Sequence, residues 1–175
     1  VAISGETDRR SSSDPITFGQ VFAKGDVPAG SALVGTVDGG QVPMQVDKKA
    51  TWADGSLRHA VITARVSDVD DGSPKRSFIN VIPQAQDAQT RPENAITLSD
   101  VLGSGFDAQV DVKASGAGSY KISARDLLQT VSQSGNCSAW GKKCKQWLNG
   151  PLASEWIVGG QVLSGNEALA GLNVY

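Results

Sequence analysis

Trp52-Ala53-Asp54-Gly55-Ser56-Leu57-Arg58 divides two runs of alternating side chains, and the fold depends on how this stretch is read. Asp-Gly is a strong reversal signal, because aspartate bonds its own backbone and glycine accepts positive φ. Before it, Val42, Met44 and Val46 share one parity while Gln41, Gln45 and Asp47 take the other, a period of two that suits a half-buried strand. Pro43 within that run hints at an edge or a bulge. After it, residues 57–66 form the longest strand candidate, with Ala60, Ile62, Ala64 and Val66 on one parity and His59, Val61 and Arg65 on the other. Trp52, Asp54, Gly55 and Arg58 are thus expected to be turn and structural residues of a hairpin corner.

The same pattern extends outward. Ile16, Phe18 and Phe22 fall on one parity of a strand, 24–30 reads as a loop, and 32–37 as a second strand closed by the turn Asp38-Gly39-Gly40. Beyond an acidic loop at 68–74, residues 75–82 suggest another strand, ended by Pro83. Residues 96–102 are a short apolar element, and 106–114 alternate almost without error. Tyr120 and Ile122 start a return strand. Ser123 with Asp126 can cap one short helix over 124–131, with Leu127, Leu128 and Val131 on its buried side. Residues 154–163 read as a strand and 172–175 as the start of one more. The expectation is an all-β, mainly antiparallel chain with one short helix: a polar arm at 1–14, a first β domain at 15–83, a connector at 84–95 and a second β domain at 96–175. That second domain is expected to be truncated at its C-terminus, the chain being a piece of a longer polypeptide.

Composition narrows the function classes. The 175 residues carry a formal charge of −2, so there is no basic footprint for nucleic acid beyond a local patch at Lys142, Lys143 and Lys145. No apolar run approaches the roughly 18 residues of a spanning helix. The two cysteines, Cys137 and Cys144, can close a small disulfide loop outside the reducing cytosol, or stand as reduced thiols inside it. With two cysteines and one histidine, zinc ligands run short. Asp68, Asp70 and Asp71 resemble the opening of an EF-hand, but the distal glutamate is missing. No metal and no cofactor is expected.

Nor does the sequence assemble a catalytic set. His59 lacks an evident orienting carboxylate and nucleophile, and reads as structural. Asp54 and Glu155 could act as a glycosidase pair only if the fold brought their carboxylates within several ångströms. There is no phosphate-binding glycine loop and no nucleophile elbow. Trp140 and Trp147 are the candidates for stacking on a sugar ring, whereas Trp52 and Trp156 read as packing residues.

Three pieces, Pro15-Ile-Thr-Phe-Gly-Gln-Val-Phe-Ala-Lys-Gly25, Val42-Pro-Met-Gln-Val46 and Trp52-Ala-Asp-Gly-Ser-Leu-Arg58, resemble in order and spacing the opening of the exo-rhamnogalacturonan-lyase-like family. Gln20-Val21 departs from the proline that the family carries before Phe22. The resemblance implies a small RIFT-type β-barrel at 15–83 followed by the start of a β-sandwich, with Trp147-Leu-Asn-Gly-Pro-Leu-Ala-Ser-Glu-Trp156 resembling an early sandwich strand. Similar openings occur in phage-associated surface proteins. The expected function is a non-catalytic structural or adhesive module of a larger exported or virion appendage protein, extracellular or on a cell surface. Its expected partners are the other chains of that assembly, the rest of its own polypeptide, or polysaccharide. The alternative is the front of a polysaccharide lyase or glycoside-active enzyme whose catalytic domain lies elsewhere.

Overall fold

The computed structural model describes residues 2–4, 15–66, 76–85, 94–114, 118–134, 144–164 and 167–174. The chain forms two compact units, Val1–Ala95 with Gly150–Ala153, and Ile96–Asn149 with Ser154–Tyr175. Strands dominate both, and all the pairings are antiparallel.

The first unit contains β1 (Ala2–Ser4), β2 (Pro15–Val21), β3 (Ala32–Val37), β4 (Gly40–Val42), β5 (Met44–Thr51), β6 (Leu57–Arg65), β7 (Arg76–Phe78) and β8 (Asn80–Gln84). They pair in the orders β2-β6-β5, β4-β3-β8 and β1-β7. Strand β6 lies at the centre of its sheet, and Ala60, Ile62, Thr63 and Ala64 are each 0% exposed. The even parity found in the sequence faces the core: Val27, Leu57, Ala60 and Ile62 pack with Phe18, Phe22, Leu33, Met44, Val46 and Val81. Each large aliphatic side chain buried there contributes about 1.5–3 kcal/mol.

Pro43 is a corner. The run expected as one returning strand divides there, with β4 pairing with β3 and β5 with β6. Proline has no N–H to donate to a ladder, so a change of partner at this point sacrifices no hydrogen bond. Its carbonyl stays in use, accepting from Arg65 N at 3.0 Å. The turn before β4 is the tight hairpin that the sequence suggests, with positive φ at Asp38 (50°) and Gly39 (83°).

Three details of the first unit differ from the sequence reading. Pro83 does not end its strand but sits within β8 opposite Leu33, which an edge strand tolerates because one side of it needs no N–H. Val27, in the 24–30 loop, is 2% exposed and belongs to the core. Gln45 does alternate away from Met44 and Val46, yet it is 7% exposed, because Gly150–Ala153 covers its face.

The second unit contains α1 (Leu98–Gly103), β9 (Gln109–Ala114), β10 (Gly118–Ser123), α2 (Ala124–Ser134), β11 (Cys144–Asn149), β12 (Ser154–Val158), β13 (Gly160–Ser164) and β14 (Glu167–Val174). Its four-stranded sheet has the order β14-β13-β10-β9, and β11 and β12 form a two-stranded ribbon. Tyr120, Ile122 and Val162 make its core, with Val112 and Leu127 packed against them. Leu128 of α2 is buried as expected, while the side chain of Val131 lies outside the described residues.

Helix α1 replaces the short apolar element, so the described residues hold two helices where the sequence suggested one. Its signal is a capping box: Thr97 Oγ1 accepts from Asp100 N at 3.2 Å and Thr97 N donates to Asp100 Oδ2 at 2.8 Å. Strand β9 begins at Gln109, later than the alternation from Phe106 suggests, because Asp107 is committed to α2. Its Oδ1 accepts from Arg125 N at 3.0 Å and from Ser123 Oγ at 2.8 Å. Ser123 itself caps locally, accepting from Asp126 N at 3.1 Å, as the sequence predicts. The run expected as one strand over 154–163 breaks at Gly159, where β12, paired with β11, gives way to β13, paired with β10 and β14. Gly160 then sits so close to Leu127 that a β-carbon would stand 2.5 Å from its Cδ2.

Candidate functional site

The turn between β5 and β6 is a three-residue hairpin loop with a glycine at its αL position. Trp52 N donates to Ser56 O at 2.8 Å, Gly55 N donates to Trp52 O at 2.9 Å, and Gly55 has φ 82°. Asp54 Oδ1 accepts from Ser56 Oγ at 2.6 Å and from Ser56 N at 3.1 Å. These bonds tie the carboxylate to the turn. They also lower its pKa below the ordinary carboxylate value, the Ser56 hydroxyl contributing most, then the Ser56 N–H, with Lys24 adding attraction. Ser56, 3% exposed, accepts from Gly25 N at 3.1 Å, and Leu57 N donates to Val27 O at 2.9 Å. The 24–30 loop is thereby fastened to the hairpin.

Asp100 and Asp107 are lowered in the same way, Asp100 chiefly by the Thr97 hydroxyl and Asp107 chiefly by the Gln109 amide, with the Arg125 N–H next. The sign follows from linkage. A carboxylate whose folded pKa lies below its unfolded value adds stability above the unfolded pKa, and that stability is lost as pH falls through the folded one. Thermal unfolding is therefore expected to have a Tm insensitive to these groups from neutrality down to about pH 5 and falling below about pH 4, the unfolded carboxylate range. A Tm that stayed level to pH 2.5 would contradict these caps.

Trp52 and Arg58 meet at this corner. The Arg58 guanidinium lies 4.8 Å from the centroid of the Trp52 ring, and Trp52 Nε1 donates to Phe22 O at 3.2 Å. Such a cation–π contact at an exposed site contributes about 0.5–1 kcal/mol. His59 lies beside them, opposite Val21 of β2 on one side and Ala50 of β5 on the other. Its Nε2 is 3.5 Å from where a β-carbon of Gly19 would stand, so the glycine leaves space for the imidazole. Val21, Phe22, Ala23, Ala50, Trp52, Arg58 and His59 line an open recess of about 660 Å³.

The structure thus brings Trp52, Asp54, Gly55 and Arg58 into one corner, with His59 at its flank. Val21 and Ala50 complete the recess and were not singled out in the sequence; cross-strand register brings them to His59, which spacing along one strand does not reveal. Cys137, Trp140, Lys142, Lys143, Asp68, Asp70 and Asp71 lie outside the described residues. Cys144, at the start of β11, is 1% exposed. Trp147 is half-buried, with Lys145 Nζ 5.1 Å from its ring centroid. Glu155 is exposed on β12 in the second unit, whereas Asp54 is held in its turn in the first. Among the described residues no group of three or more His, Cys, Asp or Glu side chains is placed to hold a metal ion, and no helix is long and apolar enough to cross a membrane.

Residues 4–76 match the family described as the PcRGLX-like N-terminal RIFT barrel domain. The match spans β2 to β6 and ends at Arg76, the first residue of β7. No curated protein and no solved structure matches this chain. The Trp52–Arg58 corner and the strand pairing around β6 are consistent with that match, so the similarity of residues 4–76 is to an N-terminal RIFT barrel of the PcRGLX-like kind.

Proposed function

We propose that the chain is a non-catalytic structural and adhesive β module of a larger exported or virion appendage protein, engaging polysaccharide or other chains of its assembly. The observation that carries this reading is the use made of the polar residues at the Trp52–Arg58 corner. Asp54 accepts both Ser56 bonds, and Trp52 Nε1 is committed to Phe22 O. Side chains spent in this way build a corner; they do not supply a nucleophile with a base beside it. The exported setting rests on the spacing of Cys137 and Cys144, which suits a crosslink formed in an oxidising compartment.

A second reading is favoured by the family match itself: the chain is the opening of a polysaccharide lyase or glycoside-active enzyme, with the catalytic residues in a separate domain. One experiment addresses both. The protein is applied to a glycan array that includes rhamnogalacturonan, and the same glycans are assayed for unsaturated or reducing-end products. Retention on a glycan without product is the expected result. Cleavage by this chain would overturn the non-catalytic reading, and no retention would remove its adhesive part. Non-reducing mass spectrometry is expected to find Cys137 joined to Cys144; two free thiols would remove the support for export.

A further inference from the structure

The recess at the end of β2-β6-β5 holds two nitrogen-bearing side chains with unused hydrogen-bonding capacity. Among the described residues, neither the Arg58 guanidinium nor the His59 imidazole makes a hydrogen bond or ion pair within the chain; the stack on Trp52 is the only contact of this kind at Arg58. A guanidinium held over the face of an aromatic ring by a cation–π contact uses none of its N–H donors in that contact. Register then sets the surroundings. Val21, His59 and Ala50 form one cross-strand row on the outer face of the sheet, and Val21 is 71% exposed.

Part of that outer face is occupied. Four residue pairs further along, the row Thr17, Thr63 and Gln45 is joined by a Thr17–Thr63 hydroxyl bond of 2.9 Å and by the bonds between Gln45 and Leu152 and Ala153. That part of the face is covered by the chain itself, and the end at Val21 is open.

The lining of the open end selects among ligands. Among the described residues it contains Val21, Phe22, Ala23, Ala50 and Trp52, one guanidinium and one imidazole, and no Asp, Glu, Asn or Gln. A sugar presents many hydroxyl groups that require acceptors as well as donors, and carboxylate or amide acceptors are what this lining lacks. A carboxylate accepts only, and it matches the planar fork of an arginine. We propose that this recess binds an apolar carboxylate, its two oxygens on Arg58 with His59 beside them and its aliphatic body against Val21, Ala50 and the Trp52 edge. Two sources share that chemistry: the free C-terminus of a polypeptide ending in an aliphatic residue, and a short aliphatic acid.

The test is an NMR titration of the intact chain with N-acetyl-leucine, its carboxamide and hexanoate. N-acetyl-leucine is expected to shift the Trp52 indole N–H, the Arg58 Nε–H and the amides of Val21 and Ala50, with a Kd of about 1 mM as befits one small open site. The carboxamide is expected to bind at least about tenfold more weakly, because it loses the charge-assisted pair. N-acetyl-leucine binding more tightly than hexanoate assigns the site to a chain terminus, and the reverse assigns it to a free acid. Equal binding of acid and carboxamide, or shifts that avoid these four residues, would overturn the proposal. Arg58→Gln is expected to abolish the preference for acid over amide. Should that variant fail to fold, the comparison of acid and carboxamide on the unaltered chain decides alone.

Discussion

Replacing Gln45 with leucine is expected to destabilise the first unit by about 2–4 kcal/mol, one of the two largest effects anticipated for this protein. Gln45 sits on β5 at 7% exposure with its amide fully used. Oε1 accepts from Leu152 N at 3.1 Å and from Ala153 N at 3.0 Å, while Nε2 donates to Ala153 O at 2.8 Å and to Asp47 Oδ2 at 2.7 Å. Leucine keeps most of the volume but leaves the Leu152 and Ala153 N–H groups and the Ala153 carbonyl without this partner. Each buried polar group left unsatisfied costs about 1–3 kcal/mol. Gly150 enforces the approach, since a β-carbon there would overlap the Gln45 amide. Denaturant unfolding would register the loss, and amide hydrogen exchange at Leu152 and Ala153 would locate it. Unchanged protection of those two amides in the variant would show that the segment is held by something other than Gln45.

Gly55→Val should cost on the order of 1–3 kcal/mol, for two separable reasons. Its φ of 82° lies where a β-branched residue is strained, and a β-carbon there would stand 3.2 Å from Ala29 Cβ in the loop that the hairpin holds. Gly39 separates the two contributions. It has nearly the same φ, 83°, but nothing within 4 Å of its β-carbon position, so Gly39→Val reports the backbone cost alone. The Gly55 variant is expected to lose more than the Gly39 variant. Equal losses would mean that the Ala29 loop yields freely, and a Gly55 variant as stable as the parent would refute the positive-φ turn.

Features set by neighbours along the chain were legible in the sequence. Asp38-Gly39 and Asp54-Gly55 form the turns that their residue types require, and the even parity of β6 faces the core. Features set by distant chain were not. The alternation of β5 gives the side on which Gln45 lies, but not its burial, because the residues covering it are more than a hundred positions away. Val27 is invisible for a related reason: it reads as a loop residue, and the bonds from Leu57 to its carbonyl and from Gly25 to Ser56 draw that loop over the core. Helix α1 is a different case. Thr97 and Asp100 do carry a capping signal, but six residues offer too few apolar positions to establish a helical period. At the recess, Trp52, Arg58 and His59 are close in sequence, across one turn, while Val21 arrives only through the pairing of β2 with β6.

The tie at Gln45 also bears on where the first unit can be cut. Its boundaries cannot be drawn as one interval, because Gly150–Ala153 belongs to it although Ile96–Asn149 does not. In terms of chain topology, Ile96–Asn149 is an excursion that begins and ends on the barrel unit. A fragment stopping at Ala95 would keep every residue of the family match, yet it would present the Gln45 amide with two of its partners, Leu152 and Ala153, removed. A piece that keeps both the barrel's tie and the second unit's sheets therefore runs on past Ala153, because β12 pairs with β11 and β13 with β10.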